Sequence, residues 1–342
     1  MSHLEFRHGV AHWGGQPAFF ISAEYPYFRD DPANWEPRLR QSKELGVRVV
    51  SSYIPWRHHE VASEGRRRFD FDGATAAARN VIRFLQLCQQ LGLEVLVKPG
   101  PFCHAELNYG GLPDFVCPLV RPDIEPRLAA DGSAVTWGGS QAGADGRPVP
   151  WPLPSPFSAA YRREVRRWFG AVRRQVLGRF CAPQGPIVAM QVGNEGIYSD
   201  AQHAVWGHDY SAAALDRFRR WLRRRYGTLA EYNTRHGASV GDWREIEPPR
   251  RYTPPDDLRG LLAYADWSEF LGRAMGELYA EYARLLAAPV PALANVNPPV
   301  ADPWGVDAWL SRVQPAAWGP KRARATATAP GARRRRPDFH PR

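Results

Sequence analysis

The sequence has 342 residues, of which 44% are hydrophobic, 12% aromatic and 23% charged. That is enough apolar material for a large core, and it excludes a disordered chain, a collagen and a disulfide-stapled mini-protein. The net charge is +10, but the last 24 residues hold eight basic side chains against one acidic, which leaves only +3 for the preceding 318. A nucleic-acid partner would rest on that tail alone, and none is expected.

No apolar run approaches the roughly 18 residues of a membrane span, so no membrane association is expected. The start, MSHLEFRHGV, has no basic segment followed by an apolar one, which predicts a cytoplasmic protein without a secretory signal. The four cysteines (Cys88, Cys103, Cys117 and Cys181) form no CxxC or Cys/His pair at zinc spacing. They read as reduced thiols, with no metal site, no disulfide frame and no cofactor implied.

The first two hundred residues alternate between strand and helix patterns. Pro17 to Ala23 reads as a short buried strand. Asp31-Pro32 opens a helix whose apolar face is Trp35, Leu39 and Leu45, ended by Gly46. Val47 to Ile54 is a second strand. Asp72-Gly73 precedes a long helix carrying Val81, Phe84, Leu85, Cys88 and Leu91, closed by Gly92. Leu93 to Val97 is a third strand. Cys117 to Ser158 is rich in Pro and Gly and without periodicity, as in a functional rim or lid. Ser158 is placed to cap a helix with Tyr161, Val165, Trp168, Phe169, Val172 and Val176 on one face. Pro186 to Val192 is a fourth strand. Two further helices follow, from Ser211 to Gly227 and from about Leu261 to Leu286, and then Pro291 to Val296 as a fifth strand. Strands spaced by helices of this length predict βα units on a parallel sheet.

The chemically capable residues fall just after the strands, the face on which βα barrels carry their sites. Glu24-Tyr25 follows the first; Tyr53, Pro55, Trp56, His58, His59 and Glu60 follow the second. Lys98-Pro99-Gly100-Pro101-Phe102-Cys103-His104-Ala105-Glu106 and Asn108 to Pro113 follow the third, and Asn194-Glu195 the fourth. Carboxylates and amides suit sugar hydroxyls, and aromatic faces suit their C–H surfaces. Taken singly, each residue has a plain structural reading: His58-His59 as supporting or rim side chains, Lys98 as a surface charge, Glu106 as a solvated carboxylate.

The order of these segments resembles glycoside hydrolase family 35, the retaining β-galactosidases on a (β/α)8 TIM barrel. Tyr53-Ile54-Pro55-Trp56-Arg57-His58-His59-Glu60 is similar to that family's Tyr-Val-Pro-Trp-Asn-x-His-Glu. Lys98 to Leu107 and Gly110-Gly111-Leu112-Pro113 are similar to its Arg-Pro-Gly-Pro-Tyr-x-x-Ala-Glu-Trp and Gly-Gly-Leu-Pro. Gln191-Val192-Gly193-Asn194-Glu195-Gly196 is similar to its Gln-x-Glu-Asn-Glu-Tyr. The likeness covers about residues 14 to 200. It implies that Glu195 is the general acid/base and that Tyr53, Ala105, Glu106 and Asn194 hold the hydroxyls of a terminal galactose, with His104 beside them. The chain departs from the family at Lys98, Leu107, Gly193 and Gly196, changes that bear on sugar preference. Tyr210 to Arg250 resembles the insert after strand four of family 42 β-galactosidases.

In such families the nucleophile is a Glu at the end of strand seven, and the retaining mechanism needs the two carboxyl groups about 5–5.5 Å apart. Only five strands precede the change of composition after Trp318, so strands six to eight and the nucleophile are expected to be missing. Glu269, Glu277 and Glu281 lie in an outer helical pattern, and Glu231, Glu245 and Glu247 in the insert, so none is assigned that role. The expectation is therefore an α/β chain with an incomplete barrel over residues 1–318, about five of eight βα units with an insert at 205–260. The disordered basic tail 319–342 reads as out-of-frame translation of a truncated gene. Hydrolysis of terminal β-D-galactosides is the expected function, impaired in this chain; a non-catalytic galactoside-binding relic is the alternative.

Overall fold

A computed structural model describes residues 4–8, 10–63, 65–103, 105–194, 209–251 and 257–295. The basic tail and Val296 of the expected fifth strand lie outside the described residues. The chain opens on an antiparallel sheet of β1 (Leu4–Arg7), β2 (Val10–Trp13) and β3 (Gln16–Pro17). Pro17, expected in the first barrel strand, belongs to this sheet; the barrel strand is β4 (Ile21–Glu24). Helix α1 (Pro32–Glu44) leads to β5 (Val47–Tyr53). The short helix α2 (Trp56–His59) and a hairpin of β6 (Glu60–Ser63) and β7 (Arg66–Phe69) precede α3 (Val81–Gln90) and β8 (Glu94–Lys98).

A second hairpin, β9 (Thr136–Ala142) with β10 (Pro148–Pro152), lies in the stretch expected to lack strands. Then come α4 (Ala159–Val172), continued by a π-helical segment to Leu177 and by the turn α5 (Gly178–Phe180), and β11 (Ile187–Gln191). Helices α6 (Ala212–Tyr226), α7 (Leu229–His236) and α8 (Leu258–Leu286) precede β12 (Ala292–Leu293).

Five strands form one sheet in the order β12-β11-β8-β5-β4, and every neighbouring pair is parallel. Together with the intervening helices this is an α/β barrel architecture, of which the described residues hold five strands. Register sets what shares an edge: Glu24 pairs with Ser51, and Tyr53 with Lys98. Because side chains alternate along a strand, Val50 and Ile54 join Val95, Val97 and Met190 in the core packed by the helices. Val49 points the other way, where Val188, Ala189 and Leu293 meet Leu4 and Trp13 of the opening sheet. That sheet therefore packs against the helix-free face below the strand ends.

Local chemistry explains the helix starts. Asp31 caps α1 by accepting from the Ala33 N–H at 2.9 Å, with Pro32 in the first turn. Leu45, expected on the buried face, is 74% exposed because it lies past the last helical residue, where the helical phase no longer applies. Asn80, rather than Asp72-Gly73, caps α3, accepting from Arg83 N at 2.8 Å. Asp70 instead organises the earlier turn through Gly73 N and Thr75 N at 2.8 and 2.7 Å. Ser158 stands at the start of α4 but does not cap it; its hydroxyl accepts from Glu125 N at 3.2 Å and ties down the preceding loop.

Candidate functional site

The C-terminal edge of the sheet is built from Glu24 of β4, Tyr53 of β5, Lys98 of β8 and Gln191 of β11. Lys98 is 9% exposed, and its ammonium has three partners. Nζ lies 2.7 Å from Glu24 Oε2, 3.3 Å from the Tyr53 hydroxyl and 4.3 Å from the centre of the Tyr53 ring. A buried ammonium needs such partners, because desolvation of an unpaired charge is costly.

Tyr53, Cys103 and Ala105 pack into one small cluster, with Phe28 and Leu107 against it. Cys103 is no nucleophile in this setting, since burial pushes its thiol up to about 12. Glu106 is exposed and adopts φ +46, a left-handed conformation that costs a non-glycine residue about 1–3 kcal/mol. Arg29, just beyond β4, supports it, donating from Nη2 to the Ala105 carbonyl at 2.5 Å and to the Glu106 carbonyl at 3.0 Å. The loop closes through Cys103 N to Gly110 O at 2.8 Å. Gly110 is obligatory: at φ +58 an added Cβ would fall 2.0 Å from the Phe102 ring.

Asn194, 4% exposed, lies just past β11, and its Oδ1 accepts from Gln191 Nε2 at 2.9 Å. Gln191 Nε2 also reaches Asn295 Oδ1, at 2.9 Å, just past β12. Gly193 N donates to Gly100 O at 3.1 Å, joining the loops after β8 and β11. Gly193 is the position where family 35 carries a Glu. Here φ is +67, and a Cβ would fall 2.8 Å from the Tyr279 ring of α8. An aromatic side chain from the outer helix thus fills the volume that a side chain at 193 would need.

Of the residues expected to bind or act, the structure brings Tyr53 and Ala105 into one cluster and sets Glu106 next in the same loop. Asn194 stands at the neighbouring strand end. Glu195 and His104 lie outside the described residues. Two candidates at the end of β5 turn out to be structural. Glu60 is buried, accepting from Trp56 Nε1 at 2.6 Å and paired with Arg167. His59 is buried between the Tyr27 hydroxyl and the Asp70 carbonyl. Burial, with neighbouring His58, lowers its pKa to about 3, so it is a neutral core group.

The carboxylates of α8 pair with outer arginines: Glu269 with Arg225, Glu277 with Arg217, and Glu281 with Arg162. Among the described residues no group of three or more His, Cys, Asp or Glu could hold a metal ion, and no helix is long and apolar enough to cross a membrane. Sequence reasoning missed Arg29 and Gln191 as parts of the site. Gln191 stood in a quoted motif, whereas no spacing signals a carbonyl clamp such as that of Arg29.

The model of the glycosyl hydrolases family 35 matches residues 12–126. The chain is 30% identical over 236 residues to a β-1,2-glucosyltransferase of Ignavibacterium album, covering 69% of this chain and 30% of that protein. It is 40% identical over 206 residues to the β-galactosidase of Mus musculus, covering 60% of this chain and 25% of that protein. The chain thus spans about 30% of the length of curated relatives that it matches. In fold it is similar to the β-galactosidase of the psychrophilic Marinomonas ef1, with a TM-score of 0.58 and 17% identity, over 81% of this chain and 37% of that one.

Proposed function

Residues 12–126 belong to glycosyl hydrolases family 35, and from that premise we propose that the chain takes a terminal β-D-galactoside at the C-terminal edge of its sheet. One observation carries the reading. Tyr53, Ala105, Glu106 and Asn194, singled out as hydroxyl-binding residues, stand at consecutive strand ends around a polar edge that also holds Glu24 and Lys98.

In this reading Glu195, the residue after Asn194, protonates the leaving oxygen and then activates water as general acid and base. Asn194 is held through its Oδ1 by Gln191, and the backbone at Glu106 by Arg29, so both residues are positioned to meet sugar hydroxyls. His104, the residue before Ala105 in the sequence, is assigned the adjacent binding position. A retaining mechanism needs a second carboxylate as nucleophile, and the carboxylates of α8 are committed to arginines on the outer face. Turnover by this chain is accordingly proposed to be impaired. The four buried free thiols support a cytoplasmic location.

The test is hydrolysis of an aryl β-D-galactoside by the purified chain, with calorimetric titration of methyl β-D-galactopyranoside alongside. Turnover that disappears in Glu195→Gln establishes the hydrolase. Binding without turnover, lost in Glu106→Ala, establishes the non-catalytic alternative. A folded chain that neither binds nor hydrolyses galactosides overturns the proposal.

A further inference from the structure

We propose that Glu24 is a sugar-contacting carboxylate of this site and that Lys98 is the residue that positions it; the inference rests on the galactoside reading above. The argument starts from an asymmetry in the ion pair. The Lys98 side chain is 11% exposed, while the Glu24 side chain is 46% exposed. The cation is thus the sequestered partner and the anion the presented one.

Lys98 contacts Glu24, the Tyr53 hydroxyl and the face of the Tyr53 ring at once, bridging the ends of β4, β5 and β8. Only Oε2 of Glu24 is used in this pairing. Among the described residues no donor meets Oε1. An ionised carboxylate has about four acceptor sites, so most of its capacity is left toward the mouth. Tyr53, which the proposed function assigns to sugar hydroxyls, shares the same ammonium.

The ligand class follows from the charge. The groups presented to a ligand are the Glu24 and Glu106 carboxylates, while the ammonium is sequestered. The site therefore suits a ring bearing hydroxyls, which donate charge-assisted bonds to such acceptors. A purely structural pair with one buried partner would lower the melting temperature when broken. It would not respond to the removal of one ligand hydroxyl.

The experiment titrates the full 342-residue chain with methyl β-D-galactopyranoside and its monodeoxy analogues, with melting temperatures recorded in parallel. Glu24→Gln is expected to weaken binding about ten- to hundredfold, the usual worth of a hydrogen bond to a charged group. It should also become indifferent to one particular deoxygenation that the unsubstituted chain resists. Glu24→Asp, which keeps the ion pair and shortens the reach, should lose affinity with its melting temperature retained, and it serves if the Gln variant does not fold. Lys98→Met should weaken binding of the same hydroxyl. Unchanged affinity in both Glu24 variants overturns the proposal while leaving the galactoside reading intact. No binding by the unsubstituted chain overturns both.

Discussion

Arg29 is exposed, yet its guanidinium joins two backbone carbonyls, those of Ala105 and Glu106. Its consequence depends on Glu106, which is held at φ +46 where an ordinary side chain prefers not to be. Without the clamp the peptide is free to leave the left-handed region, and the carboxylate moves with it. Arg29→Ala is therefore expected to lower affinity for methyl β-D-galactopyranoside about tenfold, or ~1.4 kcal/mol, with a small change in melting temperature. Arg29→Lys should recover part of that loss, because a lysine can reach one carbonyl but not both. Calorimetric titration checks it, and equal affinity in all three proteins would show the clamp to be idle. Gly193 shows the same dependence of one residue on another element: the Tyr279 ring stands where a side chain would go, so glycine there and tyrosine on α8 belong together.

At the scale of elements, the region from β5 to α3 is tied together by one neutral imidazole. His59 links α2 to Tyr27 and to Asp70, and its ring stacks on Phe71 with centroids 5.1 Å apart. Burial, with His58 beside it and against the opposing pull of Asp70, holds its pKa near 3, whereas an unfolded histidine titrates near 6.5. The unfolded chain thus takes up a proton that the fold refuses. His59's contribution is fully present above pH 6.5 and is lost as pH falls through the window toward 3, with a slope of up to about 1.4 kcal/mol per unit. Half-buried His58, also lowered by desolvation, acts in the same direction. Urea midpoints measured from pH 8 to pH 4 should fall accordingly, and His59→Gln should flatten the decline. A variant with the same slope would remove the assignment.

The elements themselves were unequally legible. β5, β8 and β11 are buried on both faces and show as apolar runs that any register would reveal. The β6–β7 hairpin did not show, because Arg66, Arg67 and Arg68 mask its alternation while pairing across to Ser63, Ala62 and Val61. The β9–β10 hairpin was hidden by Gly138, Gly139, Pro148 and Pro150, residues that local propensity assigns to loops. Helix α7 is short and half polar; it buries Tyr232, sets half-buried Leu229 against the core and pairs His236 with Asp266. In the site, residues in quoted motifs were legible, whereas Arg29 and the Lys98–Glu24 pairing came from the three-dimensional register.

At the scale of the whole molecule, the parallel sheet of the described residues ends at β4 on one side and β12 on the other. A barrel closes by pairing its first strand with its last, and closure alone removes edges. Along the β4 edge, Phe19 is 94% exposed, Ile21 51%, and Leu45, at the end of α1, 74%. An apolar strand edge in water is a template for pairing with another chain. The purified 342-residue chain is therefore expected to self-associate with rising concentration and to melt at low temperature. The double substitution Phe19→Ser with Ile21→Lys should suppress association by placing a hydroxyl and a charge on the edge. Sedimentation velocity across a hundredfold concentration range decides it. A chain that stays monomeric throughout and melts cooperatively at high temperature would mean that this edge is covered, and the exposed residues would then need another explanation.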